Sequence, residues 1–263
     1  MNSGLEWTVD AGNTLVKWGV WDTQGSLLRV WKEPLTRAGQ ALPEMLALGR
    51  PDRVALASVS LPRAHWDRLL VHYGLANWQW MGDWKDWPFE GSYARLEDLG
   101  LDRKLQMAGA LARHKGPLLI LALGSCLTVD RLNKPHGTGG PGISQAVHGG
   151  GLIAPGLTMR FRALHDYTAA LPELTPGSSP PKDRWGLSTE EAIRSGVHGG
   201  MQSEIKALVD AWAKECPQGI LITCGGDAPS FDWTQIRREG LIFAEPDLVL
   251  YGLRSLTQNL PSF

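Results

Sequence analysis

The chain has 263 residues, of which 43% are hydrophobic and 20% charged, a composition typical of a globular protein with a substantial apolar core. Its formal net charge of −1 gives no electrostatic reason to expect nucleic acid or an anionic membrane as a partner. No stretch approaches eighteen uninterrupted apolar residues, and the start MNSGLEWTVDAG lacks a basic segment followed by an apolar one, so we expect neither a membrane span nor a signal peptide.

The first half of the chain predicts three short strands and then alternating helices and strands, because segments with a period of two precede segments with helical spacing. The Trp-rich segment 78–93 has little periodicity and is interpreted as a loop, whose tryptophans pack at the surface, contact a partner or, most commonly, fill a core. In LGLDRKLQMAGALARHKG (99–116), Leu105, Ala108 and Gly109 stand at helical spacing. The other predicted strands are 5–10, 14–21, 26–32 and 53–60, and the other helices are 41–48 and 63–73.

The second half repeats this order of elements, so we predict a duplicated architecture with a boundary near residue 115. PLLILALGSCLTVD (117–130) predicts a strand, a small-residue turn and a second strand, and GILITCGG (219–226) predicts a later strand. HGTGGPG (136–142) indicates a flexible hairpin tip and is not a P-loop, because no Gly-Lys-Ser/Thr follows. In GGGLIAPGL (149–157) the glycines would let the backbone approach a ligand closely.

A long amphipathic helix is predicted over 188–214. It begins with a capping box from Ser188 to Glu191. Three glycines inside it cost helix stability, which usually means that another backbone packs close by. The apolar stripe is Ile193, Val197, Met201, Ile205, Leu208 and Trp212, and the glycines are Gly196, Gly199 and Gly200.

Two charges flank the first predicted turn, in TVDAGNTLVKWGVWD (8–22). Residues 10–14 are turn formers, since Gly and Asn tolerate a positive φ at low cost. A plain hairpin explains the turn but requires neither Asp10 at the end of the first strand nor Lys17 in an apolar second strand. The pair suggests a turn that holds an anion together with its metal, while the structural alternative is that Asp10 merely caps the turn.

The cysteines and histidines indicate no metal site. Three cysteines without a CxxC pair fit reduced thiols in the cytoplasm. The histidines at 136, 148, 165 and 198 lack the spacing of zinc ligands, so solvated or core positions are expected.

Together these segments resemble the type III pantothenate kinases, a family of the actin-like ATPase and sugar-kinase superfamily. The resemblance runs through nearly the whole chain, and the order of many weak motifs makes it specific. The motifs are Asp10-Ala-Gly-Asn-Thr-x-x-Lys17, Ala57-Ser58-Val59, Tyr93 with Leu99-Gly-Leu-Asp-Arg103, Gly124-Ser125 through Thr128, Gly150-Gly151 with Pro155-Gly156, Thr168 to Pro172, Ser188-Thr189, Thr223-Cys-Gly-Gly-Asp-Ala228, and Pro246 to Leu253.

The resemblance implies an α/β fold of two duplicated ribonuclease-H-like domains of the actin-like ATPase superfamily, with a nucleotide cleft between them. We expect an N-terminal domain over 1–114, with the first phosphate motif and the catalytic aspartate, and a C-terminal domain over 115–263, with the second phosphate and adenosine motifs. The implied reaction is ATP-dependent phosphorylation of pantothenate to 4′-phosphopantothenate, the first step of coenzyme A biosynthesis. The implied setting is a cytoplasmic homodimer that binds neither nucleic acid nor a membrane.

The resemblance also implies roles for individual residues. Asp102 is the implied general base, and Asp10 the implied anchor for the Mg²⁺ of ATP. From the residues alone, Asp102 could instead be a helix N-cap, Tyr93 a loop anchor and Thr189 an ordinary first-turn residue. The implied ATP and phosphate contacts are Asp10, Ala11, Gly12, Asn13, Thr14, Leu15, Val16, Lys17, Gly124 and Ser125, and the implied substrate contacts are Tyr93, Gly100, Leu101, Asp102, Arg103 and Thr189.

One position departs from the family pattern. The family has an aspartate two residues before the glycine of its second phosphate motif, where it helps to bind a monovalent cation, K⁺ or NH₄⁺; here that position is Ala122. Ser125 replaces the usual threonine and keeps a hydroxyl. The enzyme could act with altered or no potassium dependence, bind ATP poorly unless another group compensates, or be a non-catalytic regulator of transcriptional accessory type. A sugar or acyl kinase of the same superfamily is a weaker alternative.

Overall fold

The computed structural model describes residues 4–91, 95–133, 146–236 and 242–258, and its contacts divide the chain into two compact units. The second unit runs from His114 to Asp247. The first unit combines the chain up to Arg113 with the chain from Leu248 onward. The expected assignment of 115–263 to one domain therefore differs from the structure at its C-terminal end. The reason is the last helix, Leu248–Thr257, whose apolar side chains pack in the core of the first unit.

The first unit is built on a five-stranded sheet in the order β3-β2-β1-β4-β5. Strand β1 pairs antiparallel with β2 and parallel with β4, and β2 pairs antiparallel with β3. Tryptophans fill much of its interior, and Trp7, Trp18 and Trp66 are fully buried. The strands of this sheet are β1 (Leu5–Ala11), β2 (Leu15–Trp21), β3 (Leu27–Pro34), β4 (Pro51–Ser58) and β5 (Trp78–Trp80), and the short strand β6 (Glu90–Gly91) is not part of it. The helices are α1 (Leu42–Leu48), α2 (Arg63–His72), α3 (Leu101–Arg113) and α7 (Leu248–Thr257).

The second unit has five strands of its own in one sheet, in the order β11-β10-β7-β8-β9. Strand β8 is antiparallel to β7 and β9, while β10 is parallel to β7 and β11. If the strands of each unit are numbered one to five along the chain, both sheets have the order 3-2-1-4-5, and equivalent pairs of strands are parallel or antiparallel alike. This confirms the predicted duplication. The elements are β7 (Leu118–Leu123), β8 (Cys126–Asn133), β9 (Val147–Pro155), α4 (Leu157–Asp166), α5 (Thr189–Arg194), α6 (Gly200–Glu215), β10 (Ile220–Cys224) and β11 (Ile242–Ala244).

The Trp-rich segment 78–93 is not only a loop, as its composition suggested. Trp78 lies in β5 beside β4, and a 3₁₀ turn follows at Met81–Asp83. Trp78 and Trp80 pack on the tryptophan-rich core, and Trp84 and Trp87 pack on the core below α7. The described part of this segment is therefore core packing, the commonest of the three interpretations. The glycine-rich 136–142 lies outside the described residues.

The predicted helix over 188–214 is present but changes its hydrogen-bond pattern midway. A five-residue π segment, Ser195–Gly199, joins α5 to α6. The Ser188 cap is confirmed, since the Glu191 backbone N–H donates to Ser188 Oγ at 3.2 Å. The reciprocal bond of the predicted capping box is shifted by one residue, because the Glu191 carboxylate accepts from the Leu187 N–H at 2.7 Å and not from that of Ser188. Five of the six predicted stripe residues are buried; Leu208 is only partly buried, and Val209 occupies the buried position instead.

Helices α3 and α7 pack backbone against backbone. A Cβ atom built on Gly109 would lie 2.2 Å from the Leu248 carbonyl oxygen, and one on Gly252 would lie 2.0 Å from the Leu105 carbonyl oxygen. Contacts this short exclude any side chain at either position. The two glycines therefore set the distance between a helix from the middle of the chain and a helix from its end.

Among the described residues no helix has the length and apolarity needed to cross a bilayer.

We predict that Gly109→Ala destabilises the first unit although alanine is the better helix former. The added methyl group must push α7 away, which should cost at least about 2 kcal/mol, whereas the intrinsic preference returns only about 1 kcal/mol. Urea unfolding followed by tryptophan fluorescence measures the change. Ala112→Gly, at an exposed position of the same helix, is the matched control and should lose only about 1 kcal/mol. An alanine variant at 109 as stable as the parent would contradict the prediction.

Candidate active site

The turn between β1 and β2 places the two predicted charges side by side. Asp10 and Lys17 are directly opposite each other in the antiparallel ladder, which brings their Cβ atoms within about 5 Å. The turn closes with a hydrogen bond of 3.0 Å from the Gly12 N–H to the Leu15 carbonyl. Asn13 and Thr14 at its tip are exposed. A carboxylate, a lysine and exposed backbone amides therefore meet at one end of the sheet, as the pattern predicted.

The segment after β4 holds this turn in place. The Ser60 hydroxyl donates to the Gly12 carbonyl at 2.9 Å, and the Val59 N–H donates to the Ala11 carbonyl at 3.1 Å. Ser58 in turn bonds the backbone of Leu61 in both directions, at 2.9 Å each. These bonds give a structural reason for the motif Ala57-Ser58-Val59. One expectation was wrong: neither Gly12 nor Asn13 has a positive φ, so the turn does not use the left-handed region.

Asp102 lies inside the first turn of α3 rather than at its N-cap. The helix begins at Leu101, and its first α-helical bond runs from the Lys104 N–H to the Gly100 carbonyl at 3.0 Å. The Asp102 carboxylate accepts no hydrogen bond from any described residue. The capping interpretation of Asp102 is therefore wrong. The carboxylate stands half-exposed beside a helix N-terminus, with its oxygens available to a ligand.

Gly100 leaves the space that the Asp102 carboxylate occupies. A Cβ atom at position 100 would lie 2.7 Å from Asp102 Oδ1, which is closer than any real Cβ contact. The neighbouring Arg103 is 3% exposed, so its guanidinium is held within the protein. Gly100, Leu101, Asp102 and Arg103 thus form one compact group. Tyr93, the other expected substrate contact of this unit, lies outside the described residues.

In the second unit, two glycines press against the turn between β7 and β8. A Cβ atom on Gly156 would lie 2.1 Å from the Gly124 carbonyl oxygen, and one on Gly225, whose φ is +92°, would lie 2.1 Å from the Leu123 carbonyl oxygen. No atom of the described residues lies within 4 Å of a Cβ atom built on Gly124 or Gly226. The turn is thus fixed from two sides and open on the third. The open side is at the carboxyl ends of the parallel strands β7 and β10, where α/β sheets bind ligands.

The position that departs from the family offers no cation ligand. Ala122 lies in β7 between Cys224 of β10 and Thr128 of β8, and it is 8% exposed. Another aspartate has its backbone beside this strand: the Asp227 N–H donates to the Leu123 carbonyl at 2.9 Å. Burial raises the pKa of the Asp227 carboxyl above its ordinary value. Ala122 therefore does not supply the carboxylate ligand with which the family's aspartate holds a monovalent cation.

Thr189 is exposed and lies on the wall of a broad apolar groove of about 1120 Å³ in the second unit. Most of its lining is aliphatic or aromatic, and Arg160 and Thr189 are its polar side chains. Tyr167 in the lining is 89% exposed, and Trp185 and Leu187, on the segment before α5, are 82% and 96% exposed. The groove is lined by Pro155, Met159, Arg160, Ala163, Leu164, Tyr167, Leu171, Thr189, Ala192, Ile193, Gly196, Val197 and Gly200.

The described residues contain no group of three or more His, Cys, Asp or Glu side chains that could hold a metal ion by themselves. His148 and His198 are buried and pair with Asp130 and the Ser230 carbonyl, at 2.8 and 2.9 Å. These are the core positions expected for histidines. Mg²⁺ fits Asp10 nonetheless, because that ion needs only one or two carboxylates beside phosphate and water oxygens.

The structure thus brings most predicted site residues into three local groups. These are residues 10–17 at one turn, 100–103 at the start of α3, and 124–125 at the second turn; Thr189 belongs to the second unit and 100–103 to the first. Sequence reasoning missed Asp227 as a neighbour of the second turn, although the motif around it was noticed. It also missed Gln106, for which a polar residue on the apolar face of α3 was the available signal.

Comparison with known proteins places this chain in a family. The family model described as type III pantothenate kinase matches residues 7–211. The type III pantothenate kinase of Porphyromonas gingivalis (strain ATCC 33277) is 35% identical over 225 residues, which cover 84% of this chain and 86% of that protein. The type III pantothenate kinase of Thermosynechococcus vestitus (strain BP-1) is 38% identical over 162 residues, covering 60% and 59% of the two chains.

Solved structures agree on the fold. A candidate 2-dehydro-3-deoxygalactonokinase from Sinorhizobium meliloti aligns with a TM-score of 0.53 and 14% identity, covering 97% of each chain. The activator of the 2-hydroxyisocaproyl-CoA dehydratase from Clostridium difficile, with bound ADPNP, aligns with a TM-score of 0.51 and 11% identity, covering 96% of this chain and 93% of that one. At these identities the likeness concerns the fold alone, the duplicated α/β fold of the actin-like ATPase superfamily. From the extent of the sequence matches, the chain belongs to the type III pantothenate kinase family.

Proposed function

We propose that this chain is an enzyme that transfers the γ-phosphoryl group of ATP to pantothenate, forming 4′-phosphopantothenate for coenzyme A biosynthesis in the cytoplasm. The observation that carries the proposal is the family match over residues 7–211, which includes both phosphate turns and the Asp102–Arg103 pair. Phosphoryl transfer asks a protein mainly for positioning and charge neutralisation, and the three groups of residues supply both.

The two turns bind the phosphates of ATP. The tips of the two turns suit phosphate oxygens, because Asn13, Thr14 and Ser125 are exposed there and the Ser125 hydroxyl adds a donor. Lys17 contributes a positive charge, and Asp10 anchors Mg²⁺ directly or through water. When bound, Mg²⁺ neutralises the charge that the phosphates carry. The hydrogen bonds from residues 59 and 60 hold the first turn in shape without help from a ligand.

Asp102 is the general base of the reaction. It must take the proton of the primary hydroxyl of pantothenate as that oxygen attacks, so it must reach the hydroxyl within hydrogen-bond distance. Its carboxylate makes no competing hydrogen bond to the described residues. The carboxylate can lie next to Gly100 because that residue has no side chain. Gly100, Leu101 and Arg103 hold the acceptor, and the Arg103 guanidinium suits its carboxylate. Tyr93 and Thr189 complete the acceptor contacts.

The active form is a homodimer that uses the groove beside Thr189. A mostly apolar groove whose lining includes the highly exposed Tyr167 is typical of a protein interface. The helical glycines support this, because nothing lies within 4 Å of a Cβ atom at Gly196 or Gly200 among the described residues. The close-packing backbone that these glycines predict therefore comes from a second copy of the chain.

We predict pantothenate-dependent release of ADP from MgATP, and its loss in Asp102→Asn, because an amide cannot accept the hydroxyl proton. General-base catalysis is worth about 10² to 10⁴ in rate, so kcat should fall by that factor while the KM for ATP stays unchanged. Asp98→Asn, at an exposed aspartate paired with Arg95, is the control and should retain activity. No turnover by folded parent protein would reject the kinase and leave a non-catalytic regulator.

The same assay tests the role of position 122. Rates should be similar in potassium, ammonium and sodium buffers of equal ionic strength, because Ala122 provides no carboxylate for a monovalent cation. A strong requirement for potassium would show that another group, such as the nearby Asp227, serves that ion.

We predict that Gly100→Ala lowers kcat without unfolding the protein. The methyl group would collide with Asp102 Oδ1, and the flexible carboxylate would turn away from its working position. A displacement on the order of 1 Å costs about 100-fold in rate. Steady-state kinetics and a thermal melt measure the two effects. A normal kcat would mean that the carboxylate position seen here is not the catalytic one.

For the dimer, we predict that Ala192→Arg yields monomers, because it places a charge among the apolar residues of the groove. Light scattering after gel filtration measures the mass. Ala211→Arg, at an exposed position of α6, is the control and should leave the dimer intact. An unchanged dimer in Ala192→Arg would place the interface on another surface.

A further inference from the structure

We infer that Gln106 determines acceptor specificity: its side-chain oxygen accepts a hydrogen bond from a neutral N–H or O–H group of the acceptor, other than the hydroxyl that is phosphorylated. The inference rests on the proposed function and extends it to a residue that carries no role in the reaction described so far.

The amide oxygen of Gln106 is buried and has no donor among the described residues. The residue is 8% exposed, and Oε1 finds no hydrogen-bond partner among the described residues. Buried polar atoms in native proteins are nearly always paired, so an exception requires an explanation. A missing ligand is one explanation, because a donor that arrives with the ligand would satisfy the oxygen.

A second buried glutamine of the same chain shows what full pairing looks like. Gln202 is 5% exposed; its Oε1 accepts from the Asp232 N–H at 2.8 Å, and its Nε2 donates to the Asp232 carbonyl at 3.0 Å. That side chain joins a helix to a neighbouring loop and is structural. Gln106 makes no corresponding bond through its oxygen, although the cost of burial is of the same kind.

The position of Gln106 in α3 places it with the acceptor residues. At about 100° and about 1.5 Å per residue, Gln106 lies about 40° around the helix and about 6 Å along the axis from Asp102, and about 60° and about 4.5 Å from Arg103. The three side chains therefore share one face of the helix. Leu105, Met107 and Ala108, around the remaining circumference, are apolar and buried.

The three side chains suit three different groups of the acceptor. Asp102 takes a proton, and Arg103 offers positive charge to an anion. The uncharged oxygen of Gln106 suits an uncharged donor, because it can accept but carries no formal charge. The Asp102 carboxylate cannot be that donor, since an ionised carboxylate only accepts. Pantothenate has two groups of the required kind, its amide N–H and its secondary hydroxyl.

The experiment compares acceptors in steady-state kinetics of the full-length protein. The acceptors are pantothenate, its 2-deoxy analogue, which lacks the secondary hydroxyl, and its N-methyl amide, which lacks the N–H. The proteins are the parent, Gln106→Leu, Gln106→Glu and, as the matched control, Gln202→Leu. Thermal melts of all four proteins separate loss of binding from loss of structure.

We expect Gln106→Leu to lower kcat/KM for pantothenate by about 10- to 100-fold, which corresponds to about 1.4 to 2.8 kcal/mol. The KM for ATP should stay unchanged and the melting temperature should not fall, because leucine removes an unpaired buried oxygen. Gln106→Glu, which keeps an acceptor oxygen, should retain more activity than the leucine variant. Gln202→Leu should lower the melting temperature and leave the KM for pantothenate unchanged.

The analogues identify the donor. The parent should discriminate against the analogue that lacks the group bonded to Gln106, and Gln106→Leu should lose that discrimination. Its preference between pantothenate and the other analogue should stay as in the parent. Unaltered discrimination in Gln106→Leu, or an unchanged kcat/KM, would overturn the inference and leave Gln106 as an unsatisfied core residue. Parent protein without any pantothenate-dependent turnover would overturn the proposed function as well, so the two failures are distinguishable.

Discussion

The contact between α3 and α7 through Gly109 and Gly252 is the constraint on which the first unit depends. Backbone atoms of the two helices are so close that no side chain fits between them. Helix α7 also packs on the core under β1 and β4, and the Arg53 guanidinium donates to the Thr257 carbonyl. The helix that carries Asp102 is therefore positioned by the end of the chain. The carboxylate that we propose as the general base therefore sits on a rigid element, which is what precise positioning requires.

The second unit solves a similar problem with loops. Gly156 and Gly225 press on the β7–β8 turn from two sides, and the Asp227 N–H donates to the Leu123 carbonyl at 2.9 Å. In the first unit the β1–β2 turn is held by hydrogen bonds from residues 59 and 60, of which the Val59 N–H to the Ala11 carbonyl corresponds to the bond from Asp227. The two turns stand at equivalent places in the duplicated topology. Duplication has thus preserved the position of the two proposed phosphate turns and a backbone hydrogen bond that holds each of them, while the remaining contacts differ.

Much of this was predictable from the sequence, and the rest was not for definable reasons. Strands and helices followed from periodicity, and the duplicated order followed from their succession; the resemblance then supplied the fold. The tie of α7 to the first unit could not be predicted, because it depends on a three-dimensional match between glycines 143 positions apart. The π segment at 195–199 was hidden for a similar reason, since its pattern of apolar residues is that of an ordinary helix. Asp102 looked like an N-cap until the helix start at Leu101 was known.

The chain order of the first unit has a consequence for synthesis. Its last helix follows the 134 residues of the second unit, His114 to Asp247. At ribosomal rates of about 5 to 20 residues per second, α7 is made roughly 7 to 27 s after α3. During that interval the face of α3 around Gly109 lacks its partner, while the second unit, being contiguous, can complete its own sheet. A chaperone would therefore be needed during this interval, to cover the exposed face of α3. A truncated message that lacks the codons for α7 would yield a chain with a complete second unit and an incomplete first unit.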